Sequence, residues 1–317
     1  MKLSEAIKKA GQENKAIGHF NISNLEAFNA IVKTAKKLNV PVIIGVSEGE
    51  RDFVGIQNAV ALVRSAKESS ENNSGFEIFL NADHTYSYER CVEAIDAGFD
   101  AVIIDCASKT HDENVAITKQ VIEYAKNHLL QNGKNGTSQN RTGGNREVLV
   151  EGELGYIGQS SKVLDKLPEG VNIDPNSLTQ AIEAKNFVEE TGVDLLAPAV
   201  GNVHGVIRGG NPALNIERIK ELKEACSGIV GKDGVTRNIP LVLHGASGIT
   251  DDELHQAILA GISIVHYNTE LRVAYKDALV KSLTDNKDEV APYKYLKSAE
   301  DAIAEVVEKK LRIMNGL

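Results

Sequence analysis

Residues 241–259 read LVLHGASGITDDELHQAIL. The apolar run Leu241-Val242-Leu243 has the character of a buried strand, and it ends on His244. Gly245, Ala246, Ser247 and Gly248 follow at once, and the next ten residues carry the acidic start and apolar spacing of a helix. Strand, tight loop of small residues and helix make one βα unit. Such a loop lets backbone N–H groups approach an anion closely, and the helix N-terminus adds a favourable dipole. The stretch therefore argues at once for a parallel sheet and for an imidazole beside an anion cradle.

Working outward, the same rhythm runs along the chain. Strand-like segments cover 16–21, 42–46, 76–81, 101–105, 148–153, 195–199, 241–244 and 262–267. Helix-like segments follow them at 25–38, 53–67, 88–97, 113–126, 177–190, 215–226, 251–259 and 271–283, and a last helix covers 298–314. Continuous apolar strands alternating with helices imply a parallel sheet covered on both faces. Eight such units close a (β/α)8 TIM barrel, expected here as one α/β domain over residues 1–317 with an extra C-terminal helix. A doubly wound open sheet is the alternative. Two stretches break the rhythm. Residues 132–145, NGKNGTSQNRTGGN, read as a mobile loop on the far side of the fourth helix. Residues 155–174 form a long connection after the fifth strand, on the face where barrel active sites lie, and so read as a lid.

Composition narrows the function. There are 35 Lys and Arg against 44 Asp and Glu, a net charge of −9, which argues against nucleic-acid or anionic-membrane binding. An anionic small-molecule substrate is still compatible, because a local site can be positive. The three cysteines, Cys91, Cys106 and Cys226, stand far apart, which suits a reducing cytoplasm, and Cys106 reads as core. The polar start MKLSEAIKKAGQENK is no signal peptide, and no apolar run reaches the roughly 18 residues of a membrane helix.

On a barrel the C-terminal strand ends converge. Here they carry Asp83 and His84, Glu153, His204 and His244. A lone histidine at a strand end is usually a hydrogen-bonded structural residue; three with a carboxylate suit a borderline divalent ion such as Zn2+. Asp83 adjoins a ligand, and strand neighbours point oppositely, yet at a strand end it can still face the cavity as a base. Gly205 and Arg208 lie just beyond His204, Gly245 and Ser247 beyond His244, and Asn268 and Thr269 after the eighth strand, where barrels often bind phosphate. Arg208 could equally be a solvated surface residue, and Asn268-Thr269 a helix cap. Asn21 and Ser47 end the first two strands, as substrate contacts or as caps. His19, His111, His128 and His255 read as surface or packing residues.

Taken together, GHFNISNLE, PVIIGVSEG, NADH, GFDAVIID, VEGELG, TGVDLLAPAVGNVHG, LVLHGASGI and NTELR resemble the class II, metal-dependent fructose-bisphosphate aldolases and their tagatose-bisphosphate relatives, over nearly the whole chain. The resemblance implies a homodimeric TIM barrel that reversibly splits a ketose bisphosphate into dihydroxyacetone phosphate and an aldehyde. It implies Zn2+ on His84, His204 and His244 with Glu153 as accessory ligand, and Asp83 as the group that handles the C4 hydroxyl proton. It also implies phosphate contacts at Gly205, Gly245, Ser247 and Thr269, with a monovalent cation, Na+ or K+, nearby. Arg208 stands where the family usually has Lys, which keeps the charge and changes its geometry. Cleaving the C3–C4 bond leaves a carbanion beside a carbonyl, and a Lewis-acidic metal stabilises that charge. No Lys stands at a strand end, since Lys109 and Lys162 lie in loops, so the Schiff-base route is disfavoured.

Two departures from the pattern bear on the substrate. In GYIGQSSKVLD, Ser160 and Ser161 stand where the family places acidic lid residues, and Ser is a poor acid or base at neutral pH. On the eighth strand, His266 replaces the family's Asn; it could donate the same hydrogen bond, shuttle a proton, or simply pack. These changes leave open a tagatose-type or other ketose phosphate, a metal hydrolase, and a sugar-phosphate binding protein that has lost the chemistry.

Overall fold

Hydrophobic alternation sets the architecture. In the computed structural model, which describes residues 1–69, 76–134, 147–159, 161–231 and 234–317, eight parallel strands close into a barrel. They are β1 (Ile17–Asn21), β2 (Val42–Val46), β3 (Ile78–Thr85), β4 (Ala101–Ile104), β5 (Leu149–Leu154), β6 (Leu195–Pro198), β7 (Leu241–Leu243) and β8 (Ile262–Tyr267). Sequential strands are neighbours, and β8 closes on β1 with His19 paired to His266. The expected TIM barrel is the fold, and the open-sheet alternative is excluded by that closure.

The helices are α1 (Leu3–Gln12), α2 (Leu25–Leu38), α3 (Glu48–Val54), α4 (Ile56–Glu68), α5 (Tyr88–Ala97), α6 (His111–Lys134), α7 (Ala181–Thr191), α8 (Ile216–Ala225), α9 (Asp251–Ala260), α10 (Thr269–Asp285), α11 (Pro292–Tyr295) and α12 (Lys297–Asn315). Local chemistry sets several ends. Asn24 caps α2 by accepting from the Ala27 N–H at 2.9 Å, and Thr250 and Glu253 form a reciprocal capping box on α9. The single helix expected over 53–67 is two, α3 and α4, because Gly55 takes φ +87 between them. The helix expected over 113–126 continues through Lys134 into the stretch read as a loop; residues 135–145 of that stretch lie outside the described residues.

Side chains pack in two layers. Outside the barrel, strand residues such as Phe20, Ile44, Val102 and Leu196 meet the inner faces of the helices. Inside, Ile17, Ile43, Phe79, Leu149, Val242 and Ile264 form an apolar plug, sealed by Leu3, Ala6, Ile7 and Ala10 of α1. That plug fills the N-terminal end and leaves the C-terminal end for polar groups. α12 packs on α2 and α10 and reaches β1.

Candidate active site

Strand alternation builds the site from the plug upward. Residues two apart share a face, so the inward rows read Ile17, His19, Asn21; Phe79, Asn81, Asp83; Leu149, Glu151, Glu153; Val242, His244; and Ile264, His266. Each row is apolar at the bottom and polar above. All of these polar residues are buried. Gly45 makes room for the middle level, because a Cβ there would sit 2.1 Å from Cε1 of His19.

One irregularity turns two adjacent residues inward. The β3–β4 register shifts between Ala82 and Thr85, and His84 has φ +34. A non-glycine residue in that region is strained, at a cost of order 1–3 kcal/mol, and persists only where neighbours enforce it. Arg51, 1% exposed, braces the bend: its Nη1 donates to the carbonyls of Val46 (2.9 Å) and Asp83 (3.4 Å), and its Nη2 to Oγ1 of Thr85 (3.1 Å). Asp83 and His84 both reach the cavity as a result.

His84, His204 and His244 each present a ring nitrogen within 4.8 Å of the others. Two of these rings are aimed by carboxylates. His84 Nδ1–H donates to Asp105 Oδ2 at 3.0 Å, and His244 Nε2–H donates to Glu151 Oε1 at 2.7 Å. This leaves His84 Nε2 and His244 Nδ1 to face the cavity, the arrangement by which outer carboxylates fix metal-binding imidazoles. His244 Nδ1, His204 Nε2 and Glu153 Oε2 are buried without a hydrogen-bond partner. Buried lone pairs left so are costly, and a divalent cation is the group that would satisfy all three. Glu153 Oε2 lies 3.9 Å from the cavity-facing Nδ1 of His244, near enough to be an accessory ligand. Titration agrees with a cation-seeking pocket. Burial, then the Asp105 charge, pushes Glu153 up to about 8. Burial opposes the charged form of His84, but Asp83, Asp105 and Glu153 outweigh it and lift His84 to about 10.

Beside this cluster, Asp83 accepts from Asn21 Nδ2 at 2.8 Å through Oδ2, while its Oδ1 has no partner. Burial works against its charge, yet the adjacent His84, then His266 and His19, hold it well below the usual carboxylate range. It is therefore an ionised carboxylate with one oxygen free to take a proton. His266 Nδ1 lies 3.4 Å from that oxygen. The His266 ring is sandwiched between His19 (centroids 3.5 Å, 4° between planes) and His244 (4.2 Å, 21°). Burial drives His266 far below its ordinary range and His19 down to about 4, so both are neutral. Neutrality is what permits the stack.

The small-residue loops meet at the same place. Gly205, Gly245, Ser247 and Thr269 line one side of an inner pocket whose other walls are Asp83, His84 and His204. Gly245 has φ +62 and touches the 203–204 backbone so closely that a Cβ would fall 2.3 Å from the Val203 carbonyl oxygen. Asn211 ties the two loops, donating to the Gly205 and Ser247 carbonyls at 3.1 and 2.8 Å. On the far side of Asp83 and His84 opens a cavity of about 660 Å³, walled by Ser47, Tyr86, Tyr156, Ser161, Lys162, Asn268 and Arg272.

Most of the expected residues thus come together. Arg208 does not. Val206–Ile207 pairs with Val163–Leu164 of the lid stretch, and this ladder carries Arg208 outward, 72% exposed and 3.5 Å from Asp165. The lid stretch is tied down by the same ladder, with the Val206 N–H donating to Lys162 and the Arg208 N–H to Leu164, each at 3.0 Å. Ser161 faces both cavities; Ser160 lies outside the described residues. Of the two readings offered for His19, packing holds: it is fully buried and stacked on His266 in the polar centre. Sequence reading also passed over Asp105, Glu151, Glu50 and Arg272. The signal for Glu151 and His19 was available, as each stands two residues before a chosen strand-end residue, Glu153 or Asn21, on the same face. Glu50 gave no such signal: buried, it collects Asn21 (2.7 Å) and Arg272 (2.6 Å) from distant elements.

A family model described as fructose-bisphosphate aldolase class-II matches residues 1–316. The chain belongs to that family. It is 35% identical to a fructose-bisphosphate aldolase of Staphylococcus epidermidis, over 98% of this chain and 95% of the relative, and 34% identical to one of Staphylococcus aureus over the same shares. Among solved structures, the YdjI aldolase of Escherichia coli K12 superposes with a TM-score of 0.73 at 25% identity, covering 99% of this chain and 96% of that one. As a class II aldolase fold, the barrel keeps three imidazoles and a carboxylate at its polar end. His266 and Ser161, where the sequence reading expected departures from the family pattern, line the inner pocket together with Asp83.

Proposed function

We propose that this class II aldolase reversibly cleaves a ketose bisphosphate, with fructose 1,6-bisphosphate split to dihydroxyacetone phosphate and glyceraldehyde 3-phosphate, and that it does so with Zn2+. The observation that carries the reading is the convergence of three ring nitrogens within 4.8 Å, two of them buried without partners, with the open oxygen of Asp83 3.9 Å from His84 Nε2. His84, His204 and His244, with Glu153 in reserve, would hold a divalent ion that would supply Lewis acidity to the substrate carbonyl.

The chain's own groups do the rest. Gly205, Gly245, Ser247, Asn268 and Thr269 take the phosphate next to the ketone, at the N-terminus of α10, where dipole and N–H groups favour an anion. Ser47, Lys162 and Arg272 receive the second phosphate in the outer cavity. A substrate held at both ends spans Asp83, whose free Oδ1 takes the C4 hydroxyl proton as the C3–C4 bond breaks. Asn21 fixes the Asp83 carboxylate, and His266 holds its N–H toward the same reaction centre. Arg208 serves only if its ladder with the lid stretch opens.

The three cysteines are free and buried, which supports a reducing, cytoplasmic setting. A homodimer and a monovalent cation beside the phosphate loops complete the proposal. The experiment is retro-aldol cleavage with coupled triose-phosphate detection, before and after chelation and with Zn2+ restored. Loss and recovery of cleavage are expected. Correctly metallated protein that cleaves neither fructose nor tagatose bisphosphate, while still binding sugar phosphate, would sink the aldolase reading in favour of a sensor.

A further inference from the structure

The C-terminal helix α12 carries a buried charge that the mechanism above does not use. Lys310 is 4% exposed. Its Nζ lies 3.3 Å from Glu270 Oε2 and 3.9 Å from Asp251 Oδ1, and stands 5.0 Å over the ring of Tyr267. Lysine is seldom buried so completely unless it is paired. Its partner Glu270 reaches directly into the loop after β7. Glu270 Oε1 accepts from the Gly248 N–H at 2.7 Å, and the Glu270 N–H donates to Ser247 Oγ at 3.2 Å. Ser247 is one of the groups lining the inner pocket, and Thr269, the residue before Glu270, is another.

This arrangement poses an electrostatic problem. A carboxylate is hydrogen-bonded to the very loop that is to receive a phosphate, and Asp251 stands behind it. Unbalanced, two acidic groups, the nearer one mostly withdrawn from water, would repel the incoming anion. Lys309 answers part of this from the surface, with Nζ 2.9 Å from Asp251 Oδ2. Lys310 answers it from within, at the Glu270 oxygen that does not hold the loop.

We infer that Lys310 is a positioning residue for phosphate recognition: by pairing with Glu270 it lets that carboxylate clamp the 245–248 loop while the cradle stays electrostatically open to an anion. The extra helix is then a working part of the phosphate site as well as a cover for α2 and α10. This rests on the reading that the inner pocket takes a substrate phosphate. The surviving Glu270 charge distinguishes the role from simple packing. Removing Lys310 leaves Glu270 uncompensated, whereas removing both charges restores the balance and lets a Gln side chain still accept from Gly248.

The test uses metal-loaded, full-length protein. Lys310→Met is expected to raise KM for the bisphosphate about tenfold with kcat within about twofold, for a neighbouring charge acting in a medium of intermediate dielectric. It should weaken inhibition by inorganic phosphate by the same factor and leave bound metal unchanged. Lys310→Arg should retain wild-type values, and Lys310→Met with Glu270→Gln should recover most of the lost affinity. Unchanged KM and phosphate inhibition in Lys310→Met would overturn the inference. So would a loss that the Glu270→Gln partner does not relieve, since that is the mark of a packing role. Should Lys310→Met fail to fold, Lys310→Gln with Glu270→Gln carries the test: phosphate affinity within about twofold of wild type supports the inference, and affinity about tenfold weaker than wild type refutes it. If the wild-type protein cleaves no ketose bisphosphate, the functional reading fails alone, and calorimetric affinities for inorganic phosphate across the same variants still decide the role of Lys310. Wild-type protein that binds no phosphate refutes the inference as well.

Discussion

Replacing Glu151 with Gln tests how the metal cluster is held. Glu151 and His244 are each 1% exposed, and the 2.7 Å bond between them fixes which nitrogen of His244 faces the cavity. Burial disfavours the His244 charge, and the bond and charge of Glu151 more than restore it, so its titration lies above the ordinary range. Gln is isosteric and its carbonyl can still accept from Nε2–H, so ring orientation and fold should survive. Two things are lost, the charge-assisted strength of the bond and a full negative charge one ring away from the cation. Outer-carboxylate changes of this kind cost about 10–100-fold in metal affinity, equivalent to about 1.4–2.8 kcal/mol at about 1.4 kcal/mol per tenfold. Zn2+ competition against a chromophoric chelator measures this directly. Cleavage measured in saturating Zn2+ should recover most of its rate, because the residue acts through the ligand and touches no substrate. A Zn2+ affinity within twofold of wild type would refute the assignment of Glu151 as the group that aims His244, and with it the geometric argument for the cluster.

Three further outcomes are expected. Asp83→Ala should retain bound metal, by elemental analysis, and lose about 10²–10⁴-fold in kcat, the usual worth of a positioned base; an unchanged rate removes Asp83 from the chemistry. His19 is held neutral down to about 4 against an ordinary 6.5. Below about 6.5 the unfolded chain takes up a proton that the folded chain refuses, so stability falls as pH drops, by about 1.4 kcal/mol per unit. Unfolding free energies from urea titrations at pH 7.5 and 5.0 should therefore lie further apart in the wild type than in His19→Gln, by about 2 kcal/mol. Gly45→Ala forces a Cβ to within 2.1 Å of the His19 ring and should destabilise the protein by about 1–3 kcal/mol, as overpacking does; a melting temperature unchanged from wild type would show that the histidine stack can shift freely.

How far the sequence could be read depended on the range of the interaction involved. Strands β2 and β8 and helices α2 and α5 match their expected bounds to the residue, because apolar alternation, the αL residues Asn39 and Gly98 and the caps Asn24 and Ser87 are all local. The ladder between Val163–Leu164 and Val206–Ile207 joins residues some forty positions apart and left no mark in either segment. It is what turned Arg208 from an expected phosphate ligand into a surface residue. His19, read as a surface or packing residue, packs, but its partner was hidden for a related reason. A single histidine between apolar neighbours reads as packing, and only the partner across the barrel seam, His266, shows what it packs against.

By itself, the chain's order of residues determined the eight βα units and the polar ends of β3, β5 and β7, since each follows from periodicity and composition within a few neighbouring positions, whereas the pairing of β8 with β1 decided between a barrel and an open sheet. Tertiary structure alone decided which nitrogen each histidine turns to the cavity, that Asp83 and His84 both face inward, and that a lysine near the C-terminus is buried behind the loop that follows β7. Those outcomes depend on distances between groups that are far apart along the chain, set by Arg51 under one bend, by Asp105 and Glu151 behind two rings, and by the packing of α12. Burial is what gives them force, because in a medium that cannot reorient like water, a lone pair or a charge must find its partner within the fold.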